Sequence, residues 1–288
     1  EDRDSVIWIG TQGGGLDIFN PETGKFTNID RLSKHKNALN NNFVMSIAQN
    51  SKGELWLGTW GGGINIYHPK LDYFKYLTFD PRDPNSISWN IVYSVAIDQN
   101  DNAWAATWGG GLCFYDAKTG KFKRYQNNPK DSTSIASNKL IHVMIDNEGL
   151  VWISTADNGA SCFNPKTGKF TNFSYNRAGN SICNNNVNQI YQDKNGLIWF
   201  ATSGGLCNYN KVTKQFKNYS IRTNSDNLSF LGIANDKNGD FWFTNSASLT
   251  KFTPSVNQAE NYGFEFPLAN NEFNEHTSLI TSQNLLLL

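Results

Sequence analysis

The stretch "TWGGGINIYHP", Thr59–Pro69, returns forty-eight residues later as "TWGGGLCFYDA", Thr107–Ala117. A tryptophan ahead of three glycines suits a phosphate cradle, a sugar-stacking surface or a tight turn. Working outward from these copies, the same frame is met as "TQGGG" at Thr11 and "TSGG" at Thr202. A strand pattern follows the glycines each time. A phosphate loop needs a helix N-terminus behind it and a lysine after the last glycine, so the periodic turn is the better reading.

The period extends over the whole chain. Trp8, Trp56, Trp104, Trp152, Trp199 and Trp242 are spaced by 48, 48, 48, 47 and 43 residues, and five of them lie six residues after Asn50, Asp98, Asp146, Asp193 or Asp236. Each full unit reads as four short strands, A to D, shown well by "IVYSVAID", "AWAAT", "LCFYD" and "KFKRY". Turns such as "DNEG", the glycine run and "NPKTGK" separate them, with Pro presetting φ and Gly accepting positive φ. A lone four-stranded sheet leaves an apolar face wet, whereas units of this length pack face to face as propeller blades. The fold expected is all-β: a β-propeller of four-stranded antiparallel blades, residues 1–288 as a single domain and a piece of a larger protein. Six repeat signatures and a partial further blade leave six or seven blades open, with the parent shape read as seven.

Formal charge is balanced, 25 basic against 25 acidic residues. That gives no electrostatic reason to expect nucleic acid or an anionic membrane as partner. "EDRDSVIWIG" runs straight into a strand and is not a secretory signal, and no apolar run is long enough to span a bilayer. Cys113, Cys162, Cys183 and Cys207 lack metal or redox spacing. Three of them fall in corresponding strands of separate repeats, so all four are read as free thiols, and neither cofactor nor structural metal is expected. His35, His68, His142 and His276 occupy unlike repeat positions. His142, on an inner strand in the column of Ser46, Ser94, Gln189 and Gly232, is the best single catalytic candidate, although a core role suits it better. The lysines of "TGKF" read as solvated turn charges.

The residue before the glycines varies while its frame does not: Gln12, Trp60, Trp108, Ala156, Ser203 and Asn245. In an antiparallel meander the B–C turns share one rim with the D–A crossings. Those crossings read "NALNNN", "NSISWN", "TSIASN" and "NSICNN", each ending in a turn-forming asparagine: Asn42, Asn90, Asn138 or Asn185. Trp89 precedes one of them. Exposed indoles with amides and hydroxyls nearby suit stacking on neutral sugars, so the ligand-facing candidates are Trp60, Trp89 and Trp108 with Gln12, Asn41, Asn184 and Ser203. The same indoles could instead pack as a lid over the channel or meet another protein.

"ELWLGTWGGGINIYHP", "LVWISTADNGASCFNP" and "LIWFATSGGLCNYN" resemble the two-component regulator propeller repeat over nearly the whole chain. The sixth unit, "FWFTNSASLTKFTP", lacks the glycines, and "NNEFNEHTSL" resembles the closing segment of such propellers. The resemblance implies a noncatalytic periplasmic sensor of oligosaccharides from complex glycans. It implies as partners a neighbouring propeller, a β-sandwich and a second copy of the receptor, with histidine kinase and response regulator parts elsewhere in the parent. An interaction scaffold is the alternative. A propeller lyase, quinoprotein or glycan-active enzyme would need clustered histidine and acidic residues, or a cofactor site.

Overall fold

The computed structural model describes residues 1–33, 38–219, 221, 229–245, 248–262, 279–282 and 286–287. His35, His276 and most of "NNEFNEHTSL" lie outside them. The chain divides into two compact units, Glu1–Ile145 and Asp146–Leu288. The described residues are strands and turns without a helix.

In the first unit, β1 (Ile7–Gly10), β2 (Leu16–Asn20) and β3 (Lys25–Ile29) form a three-stranded antiparallel meander. Two four-stranded meanders follow: β4 (Val44–Gln49), β5 (Leu55–Thr59), β6 (Ile64–His68) and β7 (Tyr73–Leu77), then β8 (Val92–Ile97), β9 (Ala103–Thr107), β10 (Gly111–Asp116) and β11 (Lys121–Tyr125). β12 (Leu140–Ile145) ends the unit, and the inner strands β4, β8 and β12 lie side by side in succession. The boundary between units thus falls inside the fourth repeat.

The second unit continues with β13 (Val151–Thr155), β14 (Ala160–Asn164) and β15 (Lys169–Phe173). Two further meanders follow: β16 (Val187–Gln192), β17 (Ile198–Thr202), β18 (Gly205–Asn210) and β19 (Gln215–Tyr219), then β20 (Gly232–Asn235), β21 (Phe241–Thr244), β22 (Leu249–Thr253) and β23 (Gln258–Tyr262). A last pair, β24 (Leu279–Ile280) and β25 (Leu286–Leu287), sets β24 against β20. The fold is a β-propeller of six blades, and this pair stands where the A and B strands after the sixth blade belong.

The second strand of each blade shows why the pattern needs a propeller. β5, β9, β13 and β17 are buried at every residue, so both of their faces are covered and their sequences are apolar or small throughout. In the outer strand β11, buried Phe122 lies between exposed Lys121 and Lys123. Blade packing is seen in a cluster that joins Trp56, Ile64 and Ile66 of the second blade to Val95, Ala105 and Cys113 of the third. The small Ala103 and Ala105 belong to the same cluster.

The repeat tryptophans have a polar anchor as well as a core role. Nε1 of Trp8, Trp152, Trp199 and Trp242 donates to Oδ2 of Asp2, Asp146, Asp193 and Asp236 at 2.7, 3.0, 2.8 and 3.0 Å. The other carboxylate oxygen closes the A–B turn, as where Asp146 Oδ1 accepts the Glu148 and Leu150 amides, both at 2.9 Å. Asp2 extends the aspartate column to the first blade, a match the sequence reading leaves out.

None of the four cysteines is disulfide-bonded in this structure. Comparing strand positions nevertheless misses the pair that meets. Cys183 comes from a D–A crossing, and its sulfur lies 2.8 Å from that of Cys207 on β18.

Candidate functional site

The glycines of "TWGGG" are staples between blades. Gly61 N and Gly63 N both donate to the Asn90 carbonyl, at 3.0 and 2.9 Å. Trp60 N donates to Phe43 O at 3.0 Å, and Gly62 N to Thr59 Oγ1 at 3.1 Å. The third blade repeats this arrangement, with Gly109 N and Gly111 N on Asn138 O at 2.8 and 3.2 Å. Every amide from Trp60 to Gly63 is therefore engaged, and none is left to cradle a phosphate. The crossing asparagines complete the staple with their side chains: Oδ1 of Asn90, Asn138 and Asn185 accepts the amides of Phe79, Asn127 and Tyr175 at 2.7, 2.8 and 2.7 Å.

Two glycines show why no other residue fits. Gly63 has φ +70°, and a Cβ there would fall 2.3 Å from Leu77 O. Gly110 has an ordinary φ, yet a Cβ would lie 2.3 Å from Ser88 Oγ and 2.9 Å from Trp89 Cβ. Trp89 thus sits directly over the turn that carries Trp108.

Tyr93 joins the other two indoles. Its ring centroid is 5.3 Å from that of Trp60 and 5.3 Å from that of Trp108. It reaches them because β8 is bulged between Val92 and Ser94, which turns Tyr93 out of the regular alternation. The same irregularity recurs in β4 and β16, around Met45 and Asn188. Sequence reasoning missed Tyr93, although its column holds Met45, Tyr93, Ile141 and Asn188, side chains too unlike to be simple core. Phe43 was missed too; it is bridged to Gln12 and stands beside the Trp60 amide.

Phe43, Trp60 and Trp89 are 46%, 40% and 44% exposed, which makes an open aromatic surface on this rim of the first unit. Trp108 is half-buried and Tyr93 buried beneath. Phe79 packs on Trp89 at 5.9 Å.

The candidate amides and hydroxyls have been given other work. Asn41 Nδ2 donates to Trp60 O at 2.9 Å, and its Oδ1 accepts the Phe43 amide at 2.8 Å. In the second unit, Asn184 Oδ1 accepts the Asn186 amide at 2.8 Å. Ser203 is exposed, its amide on Asn186 O at 3.0 Å and its hydroxyl 3.4 Å from that of Ser229. Gln12 is exposed in the first unit. Asn41, Ser137 and Asn184 form one column, and each accepts the amide two residues on. Trp89 occupies the fourth place in that column, where an indole cannot accept such a bond.

Lys139, exposed and bridged to Trp108 as Phe43 is to Gln12, brings a basic side chain to this rim. None of the seven candidates titrates, and His142 sits half-buried on β12. Among the described residues, no group of three or more His, Cys, Asp or Glu side chains could hold a metal ion. Tyr67 shows the usual tuning elsewhere: burial and the neighbouring Asp72 carboxylate push its phenol up to about 12.

Stapled glycine turns, aspartate-anchored tryptophans and an aromatic rim define the class, a β-propeller of glycine-turn repeats. Residues 38–61 and 181–204 match the model of the two-component regulator propeller. Each matched segment begins in a D–A crossing and ends in the next glycine turn, so it spans the stapled part of a blade.

Among solved structures, the chain is similar to the extracellular domain assigned to the hybrid two component system BT3049 of B. thetaiotaomicron. TM-score is 0.82 and identity 21%, over 99% of this chain and 37% of that one. The extracellular domain assigned to the system BT4673 of the same organism gives 0.52 and 20%, over 98% and 44%. A catalytically inactive virginiamycin B lyase from Staphylococcus aureus, solved with quinupristin, gives 0.70 and 17%, over 92% and 83%. At these identities the likeness is one of fold, and the chain spans less than half the length of the first two. No curated protein sequence matches significantly.

Proposed function

We propose that this chain is the ligand-sensing propeller of an extracytoplasmic, periplasmic receptor of the hybrid two-component type. It recognises a neutral oligosaccharide at the Trp60, Trp89 and Trp108 rim and performs no chemistry itself. One observation carries this reading: Trp89 is 44% exposed in a column otherwise filled by turn-closing Asn and Ser. A large indole there gives up a local hydrogen bond and exposes apolar surface, a double cost that a stacking ligand offsets. Sugars present apolar C–H faces to such rings and hydroxyls to amides like that of Gln12. The absence of charge among the candidate residues favours an uncharged ligand. Kinase and receiver chemistry belong to other parts of the parent receptor. There this chain neighbours a second propeller and a β-sandwich, and the receptor works as a homodimer.

A glycan array followed by calorimetry on this chain tests the reading. Saturable binding of a neutral oligosaccharide, lost in the rim variants, is expected, with little dependence on ionic strength. Turnover of the bound glycan would make the chain an enzyme instead. The second reading, an interaction scaffold, is favoured by Phe43, whose exposed ring extends the apolar surface beyond what one sugar ring covers. Binding of a protein partner through Phe43 and Trp60, with no glycan bound at all, would establish it.

A further inference from the structure

One contact recurs between a D–A crossing and strand C of its blade. In the second blade Asn40 N donates to Asn65 Oδ1 at 3.0 Å and Asn65 Nδ2 to Asn40 Oδ1 at 2.8 Å. The third blade pairs Ser88 N with Cys113 Sγ at 3.3 Å, and the Cys113 thiol with Ser88 Oγ at 3.0 Å. In the fifth blade the backbone half is kept, Cys183 N to Cys207 Sγ at 3.3 Å, but both side chains are thiols with their sulfurs 2.8 Å apart. Non-bonded carbon atoms pack at about 3.5–4.0 Å and sulfur is larger, so this separation is inside ordinary contact. It lies within about 1 Å of the ~2.05 Å disulfide bond.

We propose that Cys183 and Cys207 close into a disulfide that ties the crossing before β16 to β18. The oxidant is a disulfide of the oxidoreductase or low-molecular-weight thiol class. Cys183, half-buried, is the sulfur an oxidant can reach, while Cys207 is buried. The Cys183 thiolate attacks one sulfur of the oxidant, forms a mixed disulfide and expels the first thiolate. Cys207 then loses its proton and attacks the Cys183 sulfur, which forms the internal bond and expels the second. Two protein thiols are oxidised and one external disulfide is reduced to two thiols. The neighbouring Cys207 sulfur holds Cys183 below its ordinary range, and burial pushes Cys207 up, which fits attacking and resolving roles. The other two thiols have no such partner: Cys113 meets Ser88, and burial pushes Cys162 up to about 12.

The bond encloses β16, β17 and the glycine turn, so it fixes the segment that holds Asn184 and Ser203. The pairing rests on geometry alone; the extracytoplasmic location proposed above supplies oxidants of the required class.

The test needs no sugar ligand, so its failure is separate from that of the sensing proposal. The full chain is equilibrated with oxidised glutathione, denatured under acid quench and titrated for thiols, and its non-reduced peptides are mapped. Two of the four thiols are expected to disappear, with one cross-linked peptide joining Cys183 to Cys207. Cys113→Ser should keep that link, whereas Cys183→Ser and Cys207→Ser should each lose it. Reductant should lower the Tm of the oxidised wild type and leave that of the Cys183→Ser/Cys207→Ser double variant unchanged. Four titratable thiols in the wild type, a glutathione adduct that never closes, or a link through Cys113 or Cys162 would overturn the proposal. The peptide map of the wild type decides it even where a variant fails to fold.

Discussion

Trp152 Nε1 donates to Asp146 Oδ2 across 3.0 Å, and Lys211 Nζ meets the same oxygen at 2.8 Å. One buried carboxylate thereby serves the A–B turn, the core indole and a lysine from the next blade. Burial by itself would raise the Asp146 pKa, but hydrogen bonds from Lys211, Trp152 and the Leu150 amide overcome this and hold it below its ordinary value. A carboxyl depressed in the folded state stabilises the fold above its unfolded pKa, and that contribution fades as pH falls through the lower folded value. Asp146→Asn should cost about 3 kcal/mol at neutral pH, the scale for breaking a buried pair, and less in acid. Urea denaturation of both proteins at several pH values measures this.

The second blade lacks that bond. Asn50 replaces the aspartate, its Nδ2 donates to Glu54 Oε2 at 2.6 Å, and the buried Trp56 Nε1 has no partner. Asn50→Asp with Glu54→Gln reverses the donor and acceptor between the side chains and supplies the indole with an acceptor. A gain of about 1 kcal/mol is expected from calorimetric melting. Asn50→Asp alone should gain less, because it sets two carboxylates against each other.

Gly110→Ala should destabilise by about 1–3 kcal/mol, since its Cβ would enter the space of Ser88 and Trp89. Gly149 has φ +79° with nothing near its would-be Cβ. Gly149→Ala should therefore cost less, about 1 kcal/mol from backbone conformation alone. Denaturant melts compare the two directly.

Trp89→Asn separates packing from recognition more sharply than truncation does. Asparagine can accept the Ile91 amide as Asn41 accepts that of Phe43, so stability should hold or rise by about 0.5 kcal/mol. Sugar affinity should fall by about 1–3 kcal/mol, the worth of a stacked aromatic. Paired melting and calorimetry decide; a large loss of stability would make the indole structural.

For Trp60→Ala and Trp108→Ala the exposure difference predicts different balances. Trp60, 40% exposed, should lose affinity by about 1–3 kcal/mol with little loss of stability. Trp108, half-buried against Tyr93, should lose both. Unchanged binding in both variants would remove the rim from the site.

The sequence by itself determined the blade: its tryptophan register, strand order, glycine turns and apolar second strands are local patterns set by strand periodicity and turn chemistry. It also placed Trp60, Trp89 and Trp108 on turns and crossings of one rim. Only the tertiary structure decided what those turns touch. The triple glycines donate to Asn90 and Asn138, Tyr93 enters between two indoles through a bulge, and Asn41 gives its amide to Trp60 O. Cys183 meets Cys207 from a segment that no strand alignment compares. Each of these joins residues far apart in the chain or turns one off its regular alternation. Repeat spacing fixes where a side chain stands in its own blade, whereas its partner is chosen by packing.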